Sequence, residues 1–204
     1  MLTRAYPSEG ARMHRVVLGL VAVMLAVVAS SSPAAGWSQE DNPDQGGPCS
    51  PCVKWSNGFN GQYFLKGGIQ RHPAWAPWIG EDIAKWNAVP SAANPTWSRT
   101  TNPDSSPRLQ LDQISIGGLC GKAYFYWGSG SILYDSSANL NTNVSYGGRN
   151  GTVGDCNFDF TVLHEVGHTE GLGHSQYWYS VMKANDNGMT TLDSDDIAGI
   201  QYIY

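Results

Sequence analysis

Positive charge is scarce in this chain. Twelve Lys and Arg stand against 17 Asp and Glu over 204 residues, a formal net charge of −5. Arg4, Arg12, Arg15 and Glu9 fall within residues 1–36, so the remaining 168 residues hold 9 basic and 16 acidic side chains, a formal −7. That balance argues against nucleic acid or an anionic membrane surface as a partner. Long apolar runs are missing as well. Val16 to Ala29 has the length of a signal-peptide core and is too short to span a bilayer comfortably. No cysteine follows that run to carry a lipid anchor. There are no internal repeats and no long low-complexity segments. Cysteine is limited to Cys49, Cys52, Cys120 and Cys156. The pair in Cys49-Ser-Pro-Cys52 has no second pair at similar spacing to complete a zinc ribbon, and it does not lie between a strand and a helix as a redox pair would.

What is present begins with a leader. The basic start, the apolar run and the small residues Ser30 to Gly36 read as a signal peptide over 1–36, with cleavage expected after Ala34 or Gly36. Met13 would make a more ordinary start than Met1. Residues 37–52, rich in Gly, Pro, Asp and Gln, read as an exposed arm, and 53–204 as one domain large enough to bury a core. The expectation is a secreted, monomeric protein without stable membrane association after the leader is removed. An exported chain with four cysteines is expected to hold two disulfides. Three pairings exist and the sequence does not choose among them; the one favoured here joins Cys120 to Cys156 and Cys49 to Cys52.

Residues 164–174 read His-Glu-Val-Gly-His-Thr-Glu-Gly-Leu-Gly-His. His164 and His168, four apart, share one face of a helix and can hold one metal ion. Gly171 can end that helix, because glycine enters left-handed dihedrals freely, and the turned chain returns His174 as a third ligand. Three nitrogens leave a fourth tetrahedral position for water, the mark of a catalytic zinc. Glu165, beside the first ligand, can take a proton from that water. These residue types at these offsets arise by chance with odds on the order of 10⁻⁵ in a chain this size.

Around the motif, strands are expected over 62–65, 108–114, 122–127 and 137–144, helices over 77–88 and 193–204, and turns over 94–107. Asn157 can cap the motif's helix. Asp193, Asp195 and Asp196 suit the first turn of the terminal helix, where the helix dipole favours negative charge. Strands, a helix, more strands, then the motif helix, a short irregular lobe and a terminal helix make an α+β domain.

The motif is that of the metzincin zinc peptidases. Ser175 after the third histidine, Met182 in Ser180-Val181-Met182, and the ending Leu-Asp-Ser-Asp-Asp-Ile-Ala-Gly-Ile-Gln-Tyr-Ile-Tyr over 192–204 resemble the matrixin branch, that of the matrix metalloproteinases and their short secreted bacterial relatives. The resemblance is strong over 157–204 and looser over 53–156. It implies a zincin-like catalytic domain: a five-stranded, mostly parallel sheet with one antiparallel edge strand, an active-site helix, a small C-terminal lobe and a terminal helix. Residues 122–127 are the candidate edge strand. A protein or peptide substrate would lie along that edge in extended form. The resemblance further implies one catalytic zinc on His164, His168 and His174, Glu165 as general base, and Met182 as the floor beneath the histidines, with Gly171 supporting the turn.

There are departures. Pro-Arg-Cys-Gly, the family's latency switch, is absent, and Met182-Lys183-Ala184 stands where Met-Tyr-Pro is common. Outside the leader, His72 is the one histidine beyond the three ligands, so the family's second, structural zinc is not expected. Glu170 stands where leucine is usual; if it faces the core it needs a partner or a raised pKa. Calcium is a second cofactor candidate, through Asp135, Asn139, Asn141, Asp155 and Asn185–Gly188, although the same residue types build turns, the reading favoured here. The expected function is a secreted zinc endopeptidase. The alternatives are a zinc-holding interaction module without significant proteolysis and a zinc amidase acting on cell-wall peptides.

Overall fold

The computed structural model describes residues 53–105, 108–149, 154 and 156–204. The leader, the arm with Cys49 and Cys52, and Asp155 lie outside the described residues. In chain order the elements are β1 (Asn60–Leu65), α1 (Gly67–Gln70), α2 (Trp75–Asn87), β2 (Thr96–Thr100), β3 (Arg108–Ile114), β4 (Gly121–Trp127), β5 (Leu133–Asn141), α3 (Phe158–Thr169) and α4 (Ser194–Ile203). None of the described helices is long and apolar enough to cross a membrane.

The five strands form one sheet in the order β2-β1-β3-β5-β4. The β1–β2, β1–β3 and β3–β5 pairs are parallel, and β4 runs antiparallel to β5 at the edge. This is the mixed α+β sheet expected from the resemblance, with the edge strand where it was sought. Parallel neighbours need a crossover, which α2 supplies between β1 and β2. Alternation places Tyr63, Leu65, Leu109, Leu111, Ala138 and Leu140 in the core. Against them pack Ile79, Ile83 and Trp86 of α2 and Val162, Leu163 and Val166 of α3. The opposite strand positions are polar: register aligns Gln110 with Ser137 and Tyr124, and Asp112 with Asn139 and Lys122.

Three local expectations need correction. Residues 94–107 are not all turn, because Thr96–Thr100 form β2. Asn94-Pro95 and Asn102-Pro103 punctuate the segment and hide a short strand that buries one large side chain, Trp97. The last strand runs over 133–141 rather than 137–144; Asn141 ends it by turning its side-chain oxygen back to the Asn143 amide, 2.9 Å away. Helix α2 starts at Trp75, so Pro77 lies within its first turn, where a missing N–H costs nothing.

The segment before β1 joins the sheet to the end of α3. Lys54 N donates to Ser131 O and Leu133 N to Lys54 O, at 3.0 and 2.8 Å. Trp55 is buried, stacks on Phe59 at 4.9 Å, and donates from Nε1 to Thr169 O at 2.7 Å.

Candidate active site

Helix α3 begins where expected. Asn157 accepts from Phe160 N at 3.0 Å, satisfying one amide that the first turn leaves unpaired. All 12 residues of α3 are buried, so its polar side chains have been taken from water and must be used. The helix ends at Thr169, and Gly171 takes φ 99°. A Cβ there would also sit 2.5 Å from Val53 O, so glycine is required by both dihedral and space. The reversal brings His174 back against the helix.

The ligand nitrogens of His164, His168 and His174 lie within 4.8 Å of one another. His164 Nδ1 faces Val181 O and His168 Nδ1 faces Leu172 O, each at 2.7 Å. A carbonyl only accepts, so both Nδ1 atoms carry a proton, which leaves each Nε2 lone pair as the one that can face a metal. Those Nε2 atoms are 3.0 Å apart. Two lone pairs at that distance repel unless a cation lies between them. A tetrahedral zinc with bonds of about 2.0–2.1 Å would set its nitrogens about 3.3 Å apart, so the donor set fits. Burial pushes the His164 pKa well below the ordinary imidazole value, and His168 and His174 add to this against the Val181 carbonyl. The ring is thus held neutral, the form that binds metal.

Glu165 is buried in the same cleft, a cavity of about 380 Å³. One wall is Gly118–Ala123 at the start of β4 and the other is Ala184–Asp186; Phe160, Thr161 and the three histidines lie between them. Phe160 stacks on His164 with centroids 5.4 Å apart. The wall presses on Glu165: a Cβ on Gly121 would meet Glu165 Cγ and Oε1 at 2.6 Å and Thr161 Cγ2 at 2.7 Å. Cys120, in this wall, is bonded to Cys156 with Cα atoms 5.7 Å apart, the favoured pairing; the Cys49–Cys52 pairing falls outside the described residues.

Met182 is fully buried against α3, where a Cβ on Gly167 would strike its sulfur. Its turn hangs from α4. Asp196 accepts from Ser180 Oγ at 2.5 Å and from Val181 N at 3.1 Å, while Asp195 accepts from Ser175 Oγ at 2.5 Å. Asp193 caps α4 through the amides of Asp195 and Asp196, and Asp196 answers the Asp193 amide at 2.9 Å. Burial pushes the Asp196 carboxyl up to about 7 against these donors. Dipole reasoning found the aspartates but missed this anchoring role. Ser175 and Ser180 before Met182 and two consecutive acids after it were the available signal.

Glu170 does face the core. One oxygen accepts from Trp97 Nε1 at 2.5 Å and the other has no partner. Burial outweighs the Trp97 bond and pushes its pKa up to about 8. His72 lies elsewhere, stacked on Trp75 at 3.9 Å with Nε2 3.2 Å from Gln113 Oε1. Among the described residues considered for calcium, several side chains bond main-chain groups nearby. Asn141 Nδ2 donates to Gly117 O and Leu119 O at 2.7 Å, Asn139 Nδ2 to Lys122 O at 3.1 Å, and Asp186 Oδ1 accepts from Gly188 N at 2.8 Å. Among the described residues, the three histidines are the group whose ligand atoms converge for a metal.

Comparisons with known proteins point to one family. The profile of the matrixin peptidase family matches residues 103–204, half of the chain. A protein of Spodoptera frugiperda ascovirus 1a, provisionally named a matrix metalloproteinase, is 34% identical over 82 residues, 37% of this chain and 21% of that protein. Matrilysin of Rattus norvegicus is 48% identical over 52 residues, 24% of this chain and 20% of the relative. The matched stretch spans about a fifth of the length of each curated relative. The chain belongs to the matrixins, a family of zinc-dependent metalloendopeptidases.

Proposed function

We propose that this chain is a secreted, monomeric zinc endopeptidase, with Glu165 as general base and His164, His168 and His174 as ligands of one zinc. The observation that carries the reading is the convergence of three imidazoles around a buried carboxylate, in a cleft bordered by an unpaired sheet edge. When bound, zinc would lower the pKa of a coordinated water and polarise a substrate carbonyl. The protein's own groups do the rest. Val181 O and Leu172 O fix the tautomers of His164 and His168. Glu165 takes a proton from water on the open side of the histidines and passes it to the leaving amine. The absence of a side chain at Gly121 leaves the room that the Glu165 side chain occupies.

Protein or peptide substrates add to β4 as a further extended strand, with main-chain hydrogen bonds supplying affinity. Phe160 and the Ala184–Asp186 wall bound the space for the side chain that enters beside His164. Acidic composition argues against nucleic acid as a partner. The test is cleavage of casein or gelatin by the purified protein, before and after chelation. Cleavage that is lost on chelation and restored by one equivalent of zinc supports the reading. A zinc-loaded protein that cuts neither would favour an interaction module, and release of fragments from cell-wall peptides alone would favour the amidase.

A further inference from the structure

We propose that the Cys120–Cys156 disulfide is a positioning element for substrate: it fixes the peptide-binding wall of the cleft to the helix that carries the base. The proposal rests on the peptidase reading. Cys120 immediately precedes β4 and lines the cavity, whereas Cys156 immediately precedes Asn157, the cap of α3. The two cysteines are 36 residues apart in the chain.

Asn141 N and the Tyr146 hydroxyl both donate to Cys120 O, and the Asn141 side chain donates to Gly117 O and Leu119 O. Those contacts hold the wall to the end of β5 and the loop after it, a loop that itself pairs with Cys156 through Cys156 N to Ser145 O and Gly147 N to Cys156 O, each at 3.2 Å; the disulfide is the direct covalent tie from the wall to the start of α3.

The opposite wall is fastened to the same place. Asp186 Oδ2 accepts from Asn157 N at 2.8 Å. Residues 156 and 157 therefore join both sides of the cleft, one by a covalent bond and the other by a hydrogen bond to a carboxylate. Between the first wall and α3 the tolerance is small, since a single Cβ on Gly121 already collides with Glu165 and Thr161. Opening the bridge lets the start of β4 move away from α3. The base and the three histidines are left untouched, because His164, Glu165 and His168 lie within α3 and His174 follows it directly. Main-chain contacts to substrate are lost while the reacting groups stay aligned, so affinity falls and the chemical step does not.

The experiment compares the zinc-loaded, full-length protein with its Cys120→Ala/Cys156→Ala variant, using a short peptide taken from a casein cleavage site. Expected are one zinc per chain in both, a KM raised about tenfold, and a kcat within about twofold. Amide hydrogen exchange over 121–125 should accelerate at least about tenfold. Cys120→Val/Cys156→Ala, which keeps more apolar volume, replaces the first variant should that one not fold. Asp186→Ala, with the disulfide intact, should raise KM in the same way by releasing the other wall. Unchanged KM overturns the proposal, as does unchanged exchange at β4, and so does a KM rise matched by equal losses of kcat and zinc. If the unaltered protein binds zinc but cuts no peptide, the peptidase reading fails separately. The dissociation constant of an uncut casein peptide then takes the place of KM, with the same tenfold weakening expected and no weakening contradicting the proposal.

Discussion

Gly121 and Glu165 share a space with no room for another atom. A side chain at 121 would meet the base at 2.6 Å and Thr161 at 2.7 Å, and the buried helix gives Glu165 little freedom to retreat. Gly121→Val suits an edge strand by propensity, so the fold and the zinc content should survive. Peptide cleavage should fall by about 10²-fold or more, the scale of a misplaced catalytic group. Normal cleavage by a zinc-loaded Gly121→Val protein would mean that the base does not work from this position. Asp82 is a residue-scale case of a different kind. It is buried in α2, 2.6 Å from Lys85 Nζ, with its other oxygen unpartnered. Burial outweighs the Lys85 bond, Asp159 adds repulsion, and the carboxyl is pushed up to about 7 from 3.8. Because the folded-state pKa is raised, the folded protein keeps a proton that the unfolded chain has released, and stability falls as pH rises through that window. Thermal unfolding at pH 4.5 and 7.5 should show the parent losing about 2–4 kcal/mol more than Asp82→Asn between the two. Parallel losses in the two proteins would count against a protonated Asp82.

At the scale of elements, α4 holds up the floor of the site. Asp196 receives the Ser180 hydroxyl and the amides of Val181 and Asp193, and Val181 O in turn orients His164. Asp196→Ala leaves several buried donors unsatisfied and should cost about 2–4 kcal/mol in denaturant unfolding. Zinc retention should drop with it, because the Val181 carbonyl loses its support. A variant with parental stability and full zinc would show that the turn stands without α4. The two helices that build the site were legible in the sequence for local reasons: cap, spacing and stop signal all lie within a dozen residues. Strand β2 was not, because one buried tryptophan between two Asn-Pro pairs looks like turn. Strand β5 was started four residues late because Asp135 and Ser136 read as turn chemistry, and it was ended three residues late.

For the whole molecule, the three histidines and the glutamate could be read from one eleven-residue stretch, but the cleft could not. Its walls come from residues 118–123 and 184–186, far apart in sequence and brought together by sheet order and by the fastenings at residues 156 and 157. Glu170 shows the same limit. Its position was flagged, yet its partner Trp97 lies 73 residues away on β2, and no local pattern links them. In the proposed function three histidines hold the metal and Glu165 alone moves the proton. The most direct test of that claim measures zinc content and peptide cleavage together in the purified protein and in Glu165→Gln. Glutamine keeps the shape of the side chain but accepts no proton at neutral pH. One zinc per chain in both proteins, with cleavage lower by about 10²–10⁴ in the variant, is the expected result. Near-parental cleavage by Glu165→Gln at full zinc occupancy would contradict it.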